Sequence, residues 1–218
     1  MRLFIKTKPV LLGVLIALGV VAQGLRAEAA SDTLVVAGGC FWCVESDFES
    51  VAGVKSAVSG YTGGHAKNPS YKQVSRGGTG HYEAVKITFD PKVVSTERLL
   101  YLFFRSVDPT DAGGQFCDRG ESYRTAIFAS DQAQRAAAEA AKAEAEADLG
   151  RRLVTPILPA ARFYKAESYH QDYYKGDKLV LTRFGPKRQS EAYKRYREAC
   201  RRDAVVRRLW GAAAPFAH

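Results

Sequence analysis

Residues 35–48 read VVAGGCFWCVESDF, placing Cys40 and Cys43 three apart around a Phe41-Trp42 pair, straight after two glycines. Three chemistries suit such a pair: a thiol nucleophile with a second thiol to recycle it, half of a zinc site, or an inert core cysteine beside a spare. A short β-rich run, TLVVAGG (33–39), enters a tight turn, and an amphipathic helix opens near Cys40, with Val44, Phe48 and Val51 on one side and Glu45, Asp47 and Glu49 elsewhere. A cysteine at a helix start faces unpartnered backbone N–H groups and the positive end of the macrodipole. Both favour its thiolate.

The zinc reading lacks its second half. Cys117 and Cys200 are isolated, with no further Cys-x-x-Cys and no His-x-x-His. His65, His81 and His170 have no ligand-spaced partner and read as structural, so the chain is expected to need neither metal nor cofactor. A lipoprotein cleavage site at Cys40 fails because Arg26, Glu28 and Asp32 separate it from the apolar segment that ends near Leu25. Thioredoxin-like exchange is the serious rival. Against it stands the Phe-Trp insert, two large aromatic faces suited to the wall of a pocket for something small and apolar.

Several elements must carry these residues. VKSAVSGY (54–61) is the second strand, followed by a glycine-rich loop over 62–81, long enough to suggest function. YEAVKITFD (82–90) is a strand ended by Pro91, and STERLLYLFFRSV (95–107) a helix capped by Ser95 or Thr96. A Gly/Asp loop ending ESY leads into RTAIFA (124–129). Ser130 caps the Ala-rich helix that Gly150 stops, and RLVTPIL adds a short strand. The order β-α-β-β-α-β-α-β predicts an α+β, split β-α-β (ferredoxin-like) sandwich of mixed sheet and helices in a single domain.

The 218 residues, 46% hydrophobic, bury one core without needing staples. Residues 1–29 combine a basic start, an apolar run from Pro9 to Leu25 and Ala27-Glu28-Ala29, which reads as an export signal or a membrane anchor. The expected location is therefore periplasmic or otherwise extracytoplasmic, for the domain 30–218. The net charge of +9 gathers late, in KRYREACRRDAVVRRLW. Residues 176–218 read as a basic, helical C-terminal tail with Val205, Val206 and Leu209 on its apolar side. No nucleic-acid-binding module surrounds that charge.

The segments GGCFWCVE, GYTGG, YKQV, TGHYEAV, FCDRGESYRTAIF and YHQDYY resemble, in order and from about Thr33 to Tyr174, the A-type peptide methionine sulfoxide reductases. That resemblance implies thiol-dependent reduction of the S epimer of methionine sulfoxide, free or in proteins. It assigns Cys40 as the catalytic cysteine, Phe41 and Trp42 to the substrate methyl group, and Glu83 as the acid that protonates the sulfoxide oxygen. Tyr71 and Tyr123 become the hydrogen-bond donors to that oxygen, Asp118 a further site residue, and YHQDYY scaffold. Taken singly, Glu83 would read as an exposed strand residue, the tyrosines as core or rim aromatics, and Asp118 as a turn residue beside Arg119. The chemistry suits the assignment, because a sulfoxide oxygen leaves poorly until protonated, and a water-poor pocket keeps a carboxylic acid neutral.

Many members of that family have Gly at the place of Cys43 and carry recycling cysteines in a glycine-rich tail, whereas this tail is basic and holds only Cys200. Cys43 is the geometric choice for the resolving thiol, since i and i+3 at a helix start lie within the roughly 4.4–6.8 Å Cα separation of a disulfide. Cys200, on a mobile tail, is the alternative, and Cys117 a third. The reductant is expected to be thioredoxin-like and the protein a monomer. A thiol–disulfide oxidoreductase, and an interaction module with purely structural disulfides, are the competing functions.

Overall fold

Side chains alternate across β1 (Asp32–Gly38), sending Leu34 and Val36 to one face of a sheet and Val35 and Ala37 to the other. In this computed structural model, which describes residues 31–183 and 185–217, the elements follow in order. They are α1 (Phe41–Glu49), β2 (Val54–Thr62), α2 (Tyr71–Arg76), β3 (Tyr82–Phe89), α3 (Thr96–Phe104), β4 (Gly114–Gln115), β5 (Asp118–Arg119), β6 (Thr125–Ala129) and α4 (Gln132–Leu149). Then come β7 (Ile157–Pro159), β8 (Tyr164–Lys165), β9 (Leu179–Thr182), β10 (Gly185–Arg188), α5 (Gln189–Ala199) and α6 (Arg202–Trp210). Ser31–His218 forms one compact unit. The expected export signal, residues 1–29, lies outside the described residues. Among the described residues no helix is long and apolar enough to cross a membrane.

The central sheet runs β7-β6-β1-β3-β2-β8. In its inner four strands, β6-β1-β3-β2, each is antiparallel to its neighbours, the arrangement a split β-α-β chain must adopt when each helix crosses over one intervening strand. β7 adds parallel to β6 at one edge and β8 antiparallel to β2 at the other. One face packs Leu34, Val36, Val85, Ile87 and Ile127 against Val44 and Phe48 of α1, Leu99 and Phe103 of α3, and the alanines of α4. A smaller cluster of Ala37, Tyr82, Ala84 and Phe128 covers the other face.

Local signals explain most element ends. Ser95 Oγ accepts from Arg98 N at 3.2 Å, and Gly150 ends α4 with φ +60°. Asp131, not Ser130, caps α4, accepting from Gln134 N at 2.8 Å. The expected 62–81 loop contains α2, whose entry is a capping box: the Gln73 side chain reaches back to Ser70 N at 2.9 Å. Gly39, with φ +82°, makes the turn into α1. An added Cβ there would lie 2.6 Å from that of Gln115, so only glycine fits.

Glu45 and Asp47, which the helical spacing sets apart from the apolar side of α1, are buried as well, because the C-terminal segment covers them. The expected basic tail is instead a hairpin, β9–β10, followed by two helices built into the fold. Arg202, 1% exposed, donates to the carbonyls of Gly38 at 3.2 Å and Ser106 at 2.9 Å, and Trp210 Nε1 donates to Val107 O at 3.1 Å. Arg197 pairs with buried Asp47 at 2.7 Å and with partly exposed Asp203 at 2.7 Å.

Removing one partner from such a pair leaves the other charge uncompensated. Arg197→Ala should therefore destabilise the protein by about 3 kcal/mol, read as a lower urea midpoint. An unchanged midpoint would mean that the C-terminal helices contribute little to stability.

Candidate active site

Register sets the centre of the site. Val36 of β1 opposes Val85 of β3, and two residues further along each antiparallel strand stand Gly38 and Glu83. The chain leaves β1 there, turns at Gly39 and starts α1 with Cys40 at the N-cap. Glu83 shares the parity of Val85, Ile87 and Phe89, so it ends the row of residues that faces the helices. It is 2% exposed, and its Oε2 accepts from Phe41 N–H, the first amide of α1, at 3.1 Å.

Other elements converge on this point. Tyr71 is the first residue of α2, and its N–H donates to Glu167 Oε1 at 2.8 Å while Tyr61 Oη donates to Glu167 Oε2 at 2.9 Å. Tyr123 closes a short 3₁₀ turn after the β4–β5 hairpin, and its phenol is hydrogen-bonded to that of Tyr71. Asp118 lies on β5. Cys40, Phe41, Trp42, Tyr71, Glu83, Asp118 and Tyr123 all line one cavity of about 50 Å³, so every sequence-predicted site residue reaches it except the candidate resolving cysteines Cys43, Cys200 and Cys117.

Sequence reasoning missed the eighth wall. Tyr196 of α5 hydrogen-bonds through its hydroxyl to Asp118 Oδ2 and meets the Trp42 ring edge-on, with centroids 6.0 Å apart. The signal available was helical spacing, since Tyr196 lies four residues before Cys200. His170 has a clear structural part in this site. Its Nδ1 accepts from the Trp42 indole N–H at 3.1 Å, and its ring packs 4.4 Å from Tyr71 and 5.0 Å from Phe41. Burial lowers it to about 4, so the imidazole is neutral with its proton on Nε2. Tyr173 stacks on Trp42 at 3.9 Å and 6°. YHQDYY thus holds the Trp42 indole in place. His81 bridges Gly64 N at 3.1 Å and Ala66 O at 2.8 Å, fixing the glycine-rich loop, and His65 is exposed.

The electrostatics separate acid from thiols. Burial pushes Glu83 up to about 8, with Asp118 and Cys43 adding to it and the Phe41 N–H opposing, so its carboxyl keeps a proton at neutral pH. Burial likewise raises Asp118, against the Tyr196 hydroxyl and Arg202, and raises Tyr71 to about 12.

Cys40 departs from expectation. It is 6% exposed, and burial pushes its thiol well up, reinforced by a hydrogen bond with Cys43 and by the carboxyls of Glu83 and Asp118. The Phe41 N–H expected to favour its thiolate is spent on Glu83. Cys43 is lowered by the hydrogen bond with Cys40, and after the opposing effect of burial by Arg202 and Arg197. The two thiols titrate as one unit, with Cys40 raised and Cys43 lowered.

Cys40 and Cys43 are free thiols, whereas Cys117 and Cys200 form a disulfide with Cα atoms 4.9 Å apart. Cys117 is exposed rather than packed, and Cys200 belongs to an ordered helix end rather than a mobile tail. Two groups of possible metal ligands occur among the described residues. In Cys117–Asp118–Cys200 the sulfurs are bonded to each other, and in Glu45–Glu49–Asp172 the carboxylates already engage Ser59, Tyr174 and Lys175.

Comparison with known proteins agrees with this geometry. The family model for peptide methionine sulfoxide reductase matches residues 32–211. The chain is 49% identical over 195 residues to peptide methionine sulfoxide reductase MsrA 2 of Caulobacter vibrioides, covering 89% of this chain and 92% of that one. It is 48% identical over 188 residues to the Rhizobium meliloti MsrA 2, covering 86% and 88%. Among solved structures it is similar to reduced Mxr1 of Saccharomyces cerevisiae, with TM-score 0.65, 31% identity and coverage of 69% of this chain and 88% of that one. It is also similar to methionine sulfoxide reductase A of Corynebacterium diphtheriae, with TM-score 0.61, 31% identity and coverage of 69% and 77%. With a buried thiol pair, a neutral carboxylic acid and an aromatic wall meeting in one cavity, and with these matches spanning most of its length, the chain belongs to the peptide methionine sulfoxide reductase family, A type.

Proposed function

We propose that this chain reduces the S epimer of methionine sulfoxide, peptide-bound or free, with Cys40 as nucleophile and Glu83 as general acid. The observation that carries the assignment of roles is the neutral carboxyl of Glu83, buried against the first turn of the helix that bears Cys40. The small cavity suits a methyl sulfoxide, with the methyl group against Phe41 and Trp42 and the oxygen toward Tyr71, Tyr123 and Glu83. The two phenols donate hydrogen bonds as charge builds on that oxygen. A small cavity walled by Phe41 and Trp42 and holding a neutral acid suits a small sulfoxide, and the rival reading, exchange with protein disulfides, has no use for that acid.

Protons and electrons balance without a cofactor. Cys43, the more acidic of the pair, takes the proton of Cys40 as the Cys40 sulfur attacks the sulfoxide sulfur. Glu83 protonates the oxygen, the hydroxyl then moves from the substrate sulfur to Cys40 as the S–S bond formed by the attack breaks, and this leaves a sulfenic acid on Cys40 and the free thioether. Cys43 then attacks Cys40 Sγ and the hydroxyl departs as water, so one sulfoxide and two thiols yield one thioether, one disulfide and one water. Cys43 is favoured as the resolving thiol because it already hydrogen-bonds Cys40, while Cys200 is bonded to Cys117. Asp118, held by Tyr196, completes the polar side of the cavity. The recycling donor is a thioredoxin-like dithiol of the cell envelope, reached by export through residues 1–29, and the protein acts as a monomer.

Three measurements check this reading. Glu83→Gln should lower sulfoxide turnover by about 10²–10⁴-fold while Cys40 still reacts with small alkylators. Because the acid must keep its proton, wild-type turnover should fall as pH rises through about 8, and the variant should lose that limb; full-speed turnover by Glu83→Gln would mean the acid is another residue. Thiol mapping after one turnover without reductant should yield a Cys40–Cys43 peptide with Cys117–Cys200 unchanged, and a Cys40–Cys200 peptide would reassign the resolving thiol. Expression in a Gram-negative host should place a chain starting near residue 30 in the periplasm, whereas full-length cytoplasmic protein would refute export.

A further inference from the structure

The second cysteine pair lies outside the proposed reaction, yet it forms a site of its own. Above the Cys117–Cys200 disulfide opens a cleft of about 300 Å³, distinct from the Cys40 cavity and walled by the apolar side chains of Phe116 and Val205. Arg201 and Arg208 also line it. Both are exposed, and among the described residues no ion pair engages either guanidinium. The two sulfurs differ. Cys117 is exposed and Cys200 is only 7% exposed, so an incoming nucleophile meets Cys117 first. Asp118 Oδ1 stands 3.8 Å from Cys117 Sγ, which disfavours negative charge on that sulfur and leaves Cys200 as the better leaving group.

We propose that this cleft is a second thiol-exchange site, taking a low-molecular-weight thiol that carries carboxylates and forming a mixed disulfide with it at Cys117. Three features specify the ligand. The volume is that of a small molecule rather than a protein loop, at the lower end of ordinary ligand clefts. The paired guanidiniums suit carboxylates. The exposed sulfur is open to attack by a thiolate. In the step itself the thiolate attacks Cys117 Sγ, the S–S bond breaks, and its electron pair goes to Cys200, whose thiolate is favoured by the neighbouring arginines. A second thiolate then attacks the sulfur of the bound small molecule, releasing Cys117 and the disulfide of the small thiol. Two thiols are oxidised and one protein disulfide is reduced. The site also touches the sulfoxide cavity, since Asp118 follows Cys117 directly and Cys200 N donates to Tyr196 O at 2.9 Å one helical turn away. Neither step requires the roles assigned to Cys40 and Glu83.

The test compares glutathione, which has two carboxylates, with cysteamine, which has none and is cationic, at matched thiolate concentration on the full chain. Free Cys200 is trapped by rapid alkylation and the adduct is located by peptide mass. Glutathione should open the disulfide about tenfold faster than cysteamine, leave its adduct on Cys117, and lose that advantage in high salt. Arg201→Gln and Arg208→Gln should each slow glutathione roughly threefold and leave cysteamine no slower. Equal rates for the two thiols, indifference to both substitutions, or an adduct on Cys200 would overturn the inference. Sulfoxide turnover with dithiothreitol, measured in parallel on a Cys117→Ser/Cys200→Ser double variant, keeps a failure here separate from a failure of the Cys40 mechanism.

Discussion

The contact between Glu83 and the first amide of α1 is the interaction on which the site depends. It joins a strand end to a helix start, and so places an acid beside a nucleophile that lies more than forty residues away in the chain. The same contact decides how the charge is distributed. A carboxyl deprived of water keeps its proton, and one N–H donor does not offset that desolvation. By taking the amide, Glu83 also denies it to Cys40. In the proposed reaction the thiol that attacks is thus not the more acidic of the two, and its activation would fall to its neighbour.

That neighbour is tuned from the C-terminal end of the chain. Arg197 and Arg202 reach the polar side of α1, pair with or approach Asp47, and bias Cys43 toward its thiolate. The same helices bring Tyr196 over the cavity. Charge that looked like a solvated basic tail therefore organises the redox pair. Buried guanidiniums carry a desolvation cost, offset here by carbonyl acceptors at Gly38, Ser106 and Phe216 and by the Asp47 carboxylate.

The aromatic wall shows the same interlocking. Phe41 and Trp42 would be free to move as paired side chains at a helix start, but His170 and Tyr173 fix the indole by a hydrogen bond and a stack. A neutral, buried histidine serves this purpose better than a charged one, because it accepts the indole hydrogen bond without bringing charge into a site that already holds the acids Glu83 and Asp118.

Much of this was legible in the residues alone. Alternation in 33–38 and 82–89, caps at Ser95 and Gly150, and the split β-α-β order all follow from local rules, and they led to the observed sheet. The Ser70–Gln73 capping box that starts α2 is an equally local signal, set in a segment whose glycines read as loop. The resemblance to a known family named seven walls of the cavity, whereas taken singly Glu83, Tyr71, Tyr123 and Asp118 read as ordinary strand, rim and turn residues. What tertiary structure alone decided is which polar groups lose water and which partners they find. Burial of Glu45 and Asp47, the pairing of Cys117 with Cys200, the arrival of Tyr196 and the transfer of acidity from Cys40 to Cys43 depend on segments far apart in the chain. A sequence pattern records periodicity and residue type, whereas desolvation and charge pairing are set by distances that exist only once those segments have packed.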